Sequence, residues 1–257
     1  MDVIRVAQVK IVPKRGDLRG NFARLITVLK QAARHKPDVV VTPEGFLDGY
    51  ASLVKGMTRK GMLRYAIDPR RSACAREISR WARTNRAWVV FGCARKSGRR
   101  ACNSAFVFDR NGRLAGTYDK THLQDHDLVY APGRALPVFE SDFGTFGVMI
   151  CADRRWPETV RTLALKGARV IFNPTYGMHC DLNRAMMRTR SFESEVVIAF
   201  THPRQALVTD ARGAIVTDSA DGRRRVVFTD VDLSQVDKVR TAPHSHLKDR
   251  RAELYVR

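Results

Sequence analysis

Gly147-Val-Met-Ile-Cys-Ala-Asp-Arg-Arg-Trp-Pro-Glu158 is the stretch on which the reading of the chain turns. Phe146 to Ile150 is an unbroken apolar run, the pattern of an interior strand, and Cys151 follows its last residue. Pro157 suits the first turn of a helix, so strand, cysteine and helix follow one another closely. A thiol at a strand end that faces a helix N-terminus is expected to favour thiolate and to lie beside free backbone N–H groups. The plain alternative is a small buried hydrophobe capping a strand, because free cysteines are commonly buried and inert.

Working outward, the same alternation recurs. Val3–Val9 reads as a first strand, and Asn21 as the cap of a helix carrying Phe22, Leu25, Ile26, Leu29, Ala32 and Ala33 at helical spacing. Pro37-Asp38 breaks that helix, and Val39-Val-Val41 is apolar on both faces, as in a strand covered from both sides. A basic helix over 70–84, a strand at Trp88–Gly92 and a hairpin turning at Arg110-Asn-Gly112 come next. After the cysteine stretch come a helix to Lys166, a buried strand at 168–173 and a helix over 183–195. A strand at 196–200, a hairpin turning at Ala211-Arg-Gly213 and a last strand at 225–231 complete the pattern. Strands alternating with helices, with hairpins in both halves, give an α/β fold with helices covering a mixed sheet. The chain reads as a single domain, 1–257, with a C-terminal tail from about 234 packing on the domain or on a partner subunit.

Composition sets outer bounds. The chain has 257 residues, enough for one full core, and no run long and apolar enough to span a bilayer. Its N-terminus lacks the basic start and cleavage site of a signal peptide, so a cytoplasmic location is expected. Five cysteines at irregular spacing, with no CxxC pair, make neither a disulfide framework nor a structural zinc site. Lys+Arg 46 against Asp+Glu 26 gives a net charge of +20. Such a field attracts anionic substrates or nucleic acid, but the basic residues are dispersed and not interleaved with aromatics, which favours a solvated basic surface over a nucleic-acid platform.

Three residues stand at three strand exits: Glu44 after 39–41, Lys120 after 113–118 and Cys151 after 146–150. Ligands of α/β sheets collect outside the carboxyl ends of strands. A carboxylate, an ammonium and a thiol are what thiol attack on an amide carbon needs: a base, an oxyanion partner and a nucleophile. The Ala152 N–H is the candidate second oxyanion donor.

At these residues the chain resembles the carbon–nitrogen hydrolase (nitrilase-like) superfamily over nearly its whole length. The carriers are Pro43-Glu44-Gly-Phe-Leu-Asp-Gly49-Tyr50, Tyr118-Asp-Lys120-Thr-His-Leu123 and Cys151-Ala-Asp153-Arg-Arg155-Trp-Pro157-Glu158. Pro132-Gly133, Asn173-Pro174, Arg188-Thr-Arg-Ser-Phe-Glu193 and Arg250–Tyr255 support them. The resemblance implies a four-layer α-β-β-α sandwich of two mixed sheets with helices outside. It also implies Glu44-Lys120-Cys151 catalysis without metal or other cofactor, Asn173 beside the substrate, and a homodimer or larger assembly. Arg154-Arg155 before Trp-Pro-Glu is similar to N-carbamoyl-D-amino-acid amidohydrolases, in which arginines at this place hold the substrate carboxylate. A guanidinium grips a carboxylate bidentately, although Arg155 pairing with Asp153 or Glu158 is the structural alternative. The helix at 188–193 looks more like the general amidase form.

One departure concerns the second glutamate that relatives place after the lysine. Counting forward from Lys120 puts Asp127 there; counting back from Pro132-Gly133 puts His126 there. His122 and His126, beside Asp125 and Asp127, lack the spacing and the third ligand of a metal site. Cys180, near His179 and His202, reads as structural. The substrate expected is a small amide or N-carbamoyl compound; the rivals are a nitrile-hydrolysing enzyme and an inactive basic scaffold.

Overall fold

The computed structural model describes residues 1–255, so the last two residues of the tail, 256 and 257, lie outside the described residues. Twelve strands form two six-stranded mixed sheets. The first holds β1 (Val3–Val9), β2 (Val39–Val41), β3 (Trp88–Ser97), β4 (Arg100–Phe108), β5 (Leu114–Asp119) and β12 (Val226–Asp232), in the order β12-β1-β2-β3-β4-β5. The second holds β6 (Val138–Phe139), β7 (Phe146–Val148), β8 (Val170–Pro174), β9 (Val197–His202), β10 (Gln205–Thr209) and β11 (Ile215–Ser219), in the order β11-β10-β9-β8-β7-β6. Each has a parallel trio, β1-β2-β3 or β7-β8-β9, with antiparallel strands on both sides. The two halves of the chain thus share a topology.

Strand alternation builds the layers. Val39 and Val41 pack into the same cluster as Phe146, Val148, Val170, Phe172, Val197 and Ala199, between the sheets. Val40 turns the other way, onto Leu25, Val28, Leu29 and Ile78 of α1 (Leu18–Ala33) and α3 (Ala73–Asn85). Met149, Ile171, Ile198 and Phe200 likewise face Val160, Leu163 and Met187 of α4 (Pro157–Leu165) and α5 (Asp181–Ser194). The result is helix, sheet, sheet, helix, as expected. Each fully buried aliphatic side chain contributes about 1.5–3 kcal/mol, which is why all-apolar triplets such as 39–41 fix a strand so firmly. The four-residue α2 (Arg59–Met62) lies in the loop region after β2, and α6 (Ser234–Thr241) begins the tail.

Two local expectations are corrected. Asp17, not Asn21, caps α1, its carboxylate accepting from Gly20 N–H at 2.8 Å; Asn21 is buried and ties the 14–47 loops together through Lys14 and Leu47. The strand at Trp88 runs on to Ser97 and pairs with β4 in a hairpin turning at Gly98, which has φ +59°. No helix of the described residues is long and apolar enough to cross a membrane.

Candidate active site

The loops leaving β2, β5 and β7 meet at one end of the sandwich. Glu44 follows β2, and its loop lies against β3 only because position 92 is glycine: a Cβ there would stand 2.1 Å from the Pro43 carbonyl oxygen. Lys120 follows β5, and a Cβ on Gly133 would strike the carbonyl oxygen of Asp119 at 2.1 Å. Gly133 N–H bonds the Lys120 carbonyl at 2.8 Å, closing the loop.

Lys120, Glu44 and Asp127 are wholly buried. Lys120 Nζ donates to Glu44 Oε1 at 2.8 Å and to Asp127 Oδ2 at 2.6 Å. Burial alone would pull the Lys120 ammonium down, but Glu44, Cys151 and Asp127 around it raise it above an ordinary lysine. Glu44 Oε1 also accepts from Asn103 Nδ2 at 2.8 Å and from Tyr50 OH at 3.3 Å, while its other oxygen, Oε2, is buried without a partner. Asp127 therefore stands where the second carboxylate was sought. His126 is next to it, with Nε2 3.1 Å from Tyr50 OH.

Cys151 opens a 3₁₀ helix, Cys151–Arg155, with φ +48°, a conformation that costs a non-glycine residue about 1–3 kcal/mol and clusters at functional sites. In that first turn the Cys151 and Ala152 N–H groups have no intrahelical acceptor. Cys151 is 3% exposed. Gly177, itself exposed, lies close to it: a Cβ there would stand 3.8 Å from Sγ. The expectation of a readily formed thiolate is corrected. Burial pushes the Cys151 thiol up, and Glu44 adds to this, against the pull of Lys120, Arg154 and the Tyr176 N–H. Glu44, Lys120 and Arg154 thus all act on the thiol, and Asp127 joins them through its ion pair with Lys120.

Asp153 bolts the cysteine turn to the lysine loop. Its carboxylate accepts from Tyr118 OH at 2.6 Å, Ile150 N–H at 2.9 Å, Thr121 Oγ1 at 2.9 Å and His122 N–H at 2.9 Å. Of the two arginines that follow, Arg155 is exposed and Arg154 buried. Arg154 is the arginine at the site. It is fully buried, with Nη1 3.6 Å from Sγ, Nε donating to Asn183 Oδ1 at 2.7 Å and Nη2 to the Met178 carbonyl at 2.9 Å, and its guanidinium lies over the Phe200 ring. Arg190 of α5 holds the backbone of the same turn through the Arg154 and Arg155 carbonyls, both at 3.1 Å. Asn173 is buried on β8, donating to the Met149 carbonyl at 3.1 Å with Oδ1 unpartnered. His122 is taken up by Asp153, 2.8 Å from Nδ1, and by stacking on Trp156; Cys180 is exposed before α5. Asn103, Asn183 and Gly92 were not singled out from sequence, because their roles exist only once strand register and loop crossings are set; Gly133 was noted only as part of the Pro132-Gly133 match.

A model of the carbon–nitrogen hydrolase family matches residues 4–241. The chain belongs to that family. It is 30% identical to a hydrolase from the pqqF 5′ region of Pseudomonas protegens, over 98% of this chain and 90% of that protein. It is 26% identical to omega-amidase NIT3 of Saccharomyces cerevisiae, over 98% and 94% respectively. The crystal structure of yeast Nit3 superposes with a TM-score of 0.82 at 23% identity, covering 94% of each chain. A variant of the Nesterenkonia sp. amidase, TM-score 0.77 at 19% identity over 98% and 95%, carries the acetamide moiety of fluoroacetamide covalently on its active-site cysteine. This carbon–nitrogen hydrolase therefore has the fold of these enzymes, and its family membership makes it a hydrolase of C–N bonds.

Proposed function

We propose that the protein hydrolyses the amide or N-carbamoyl group of a small carboxylate-bearing molecule through a Cys151 acyl intermediate, releasing ammonia or an amine. The observation that carries the carboxylate is Arg154, a buried guanidinium with no acidic partner among the described residues, in contact with the nucleophile. Three of its N–H groups are used, by Asn183, Met178 and Sγ. A guanidinium has five, so two are free. A buried charge without a counter-charge is destabilising, and a substrate carboxylate supplies one. The omega-amidase and amidohydrolase likenesses point the same way.

Glu44 takes the thiol proton as sulfur attacks the carbonyl carbon. Lys120 and the Ala152 N–H hold the oxyanion, and Glu44 returns the proton to the leaving nitrogen. Water, with its proton going to Glu44, then cleaves the thioester and restores the thiol. The adduct on the Nesterenkonia enzyme is a precedent for a covalent step on cysteine. The test is ammonia release from N-carbamoyl amino acids, succinamate, butyramide and butyronitrile, with mass spectrometry of the trapped enzyme and Cys151→Ala as control. Succinamate or an N-carbamoyl amino acid should be favoured over butyramide, with an acyl mass on the parent and none on the variant. No acylation by any of these would leave an inactive scaffold; neutral amides alone being cleaved would remove the carboxylate; faster turnover of the nitrile would make it a nitrilase.

A further inference from the structure

Asn183 is the third residue of α5 and fully buried, and its two polar atoms have different fates. Oδ1 accepts from Arg154 Nε at 2.7 Å, whereas Nδ2 is buried with no hydrogen-bond partner. The guanidinium fixes this orientation, since flipping the amide would set N–H against N–H. Buried polar groups are nearly always paired, so an unpaired one asks for a missing partner. Polarity says which partner. The orphan atoms on Glu44 and Asn173 are acceptor oxygens, but the orphan on Asn183 is a donor beside a cation that also has donors to spare.

We propose that Asn183 is a specificity-determining residue: it holds the Arg154 guanidinium through Oδ1 and donates Nδ2–H to the same substrate carboxylate. This rests on the carboxylate reading given above. Two donor residues at fixed separation suit the two oxygens of one carboxylate, and binding fills every unmet requirement of the pair. Because Arg154 Nη1 is 3.6 Å from Sγ, the bound acid group stands only a few bonds from the scissile carbonyl. Succinamate and short N-carbamoyl amino acids have that spacing.

The test uses succinamate and butyramide, which differ in carboxylate against methyl. Asn183→Asp keeps an acceptor for Arg154 Nε, removes the donor and supplies the guanidinium with a resident counter-ion. The ratio of kcat/KM for succinamate over butyramide should fall by about 10- to 100-fold, chiefly through KM for succinamate. Succinate, which is not turned over, should bind the parent in calorimetry and lose at least about tenfold in affinity to the variant. If both substrates decline together, or succinate binds the variant as well as the parent, Asn183 is only structural and the proposal falls. Should Asn183→Asp not fold, Asn183→Ser is read by the same ratio. A parent that does not prefer succinamate at all overturns the underlying carboxylate reading, and that shows before any variant is made.

Discussion

Lys120 lies between two carboxylates and beside a thiol, all out of water, so its charge is fixed and its neighbours' charges are balanced against it. Two anions, Glu44 and Asp127, are paired with Lys120, while the thiol is neutral and Arg154 has no acidic partner among the described residues. Asp127→Asn removes one anion and leaves Lys120 to Glu44 alone, drawing the ammonium off its position. We expect kcat to fall on the order of a hundredfold, because about 1 Å of misplacement has that effect. Steady-state kinetics of the variant check this, and a kcat within about threefold of the parent would show that Asp127 only fills space. Asp127 was half legible in the sequence. Counting along the loop left Asp127 and His126 level, and only the short 3₁₀ turn Asp125–Asp127 shows which side chain is turned inward. Arg154 and Arg155 were likewise not separated by the sequence: Arg154 is buried and Arg155 exposed, and sequence does not say which of two neighbours on a tight turn is buried.

At the scale of elements, the segment between β8 and α5 roofs the site, and His202 at the end of β9 pins it. Nδ1 accepts from Arg204 N–H at 3.0 Å, so Nε2 carries the proton that goes to the Tyr176 carbonyl at 2.7 Å. Burial, with His179 stacked beside it, holds His202 down at about 4, against an ordinary 6.5. A base whose folded value is depressed contributes stability that is present above pH 6.5 and is lost as pH falls toward about 4. At pH 5 that loss is about 2 kcal/mol. Asp48 works in the opposite sense: burial raises it to about 6, so its contribution grows as pH falls from there toward 3.8. His202→Gln removes the first effect and keeps the second. Between about pH 7.5 and 5 the parent's Tm should drop by several degrees more than the variant's. Equal drops would show that His202 does not govern the acid response. The strands and the main helices were legible because period-2 and period-3.6 patterns are strong there. The long β3–β4 hairpin was read short because Arg95-Lys96-Ser97 is polar, although β4 pairs with it throughout.

For the whole molecule, the doubly covered strands were legible because Val39-Val-Val41 and its counterparts at 170–172 and 197–199 face a core on one side and helices on the other, whereas their division into two sheets was implied only by the family resemblance. What sequence could not show is which outer surface stays uncovered. α5 carries Asn183 and Arg190 toward the site, yet Phe192 on the same helix is 51% exposed, near Leu254 and Tyr255 of the tail at 63% and 55%. Phe192 and Tyr255 line a hollow of about 670 Å³ with Pro157, His246 and Arg250, next to the cysteine turn. The family resemblance implies a homodimer or larger assembly, and we propose that a second copy covers this face, where Phe192 and Tyr255 stand exposed among the charged Glu158, Arg161, Glu193 and Asp249. Two copies at +20 each repel one another, so association through apolar contact should strengthen as salt screens the charge. Sedimentation at about 50 mM and 500 mM salt, where the Debye length falls from roughly 14 to 4 Å, should show a dimer or larger favoured at the higher salt. Phe192→Glu should shift the equilibrium toward monomer at both. A parent that is monomeric throughout, or a variant that associates as the parent does, would leave this face without a partner copy.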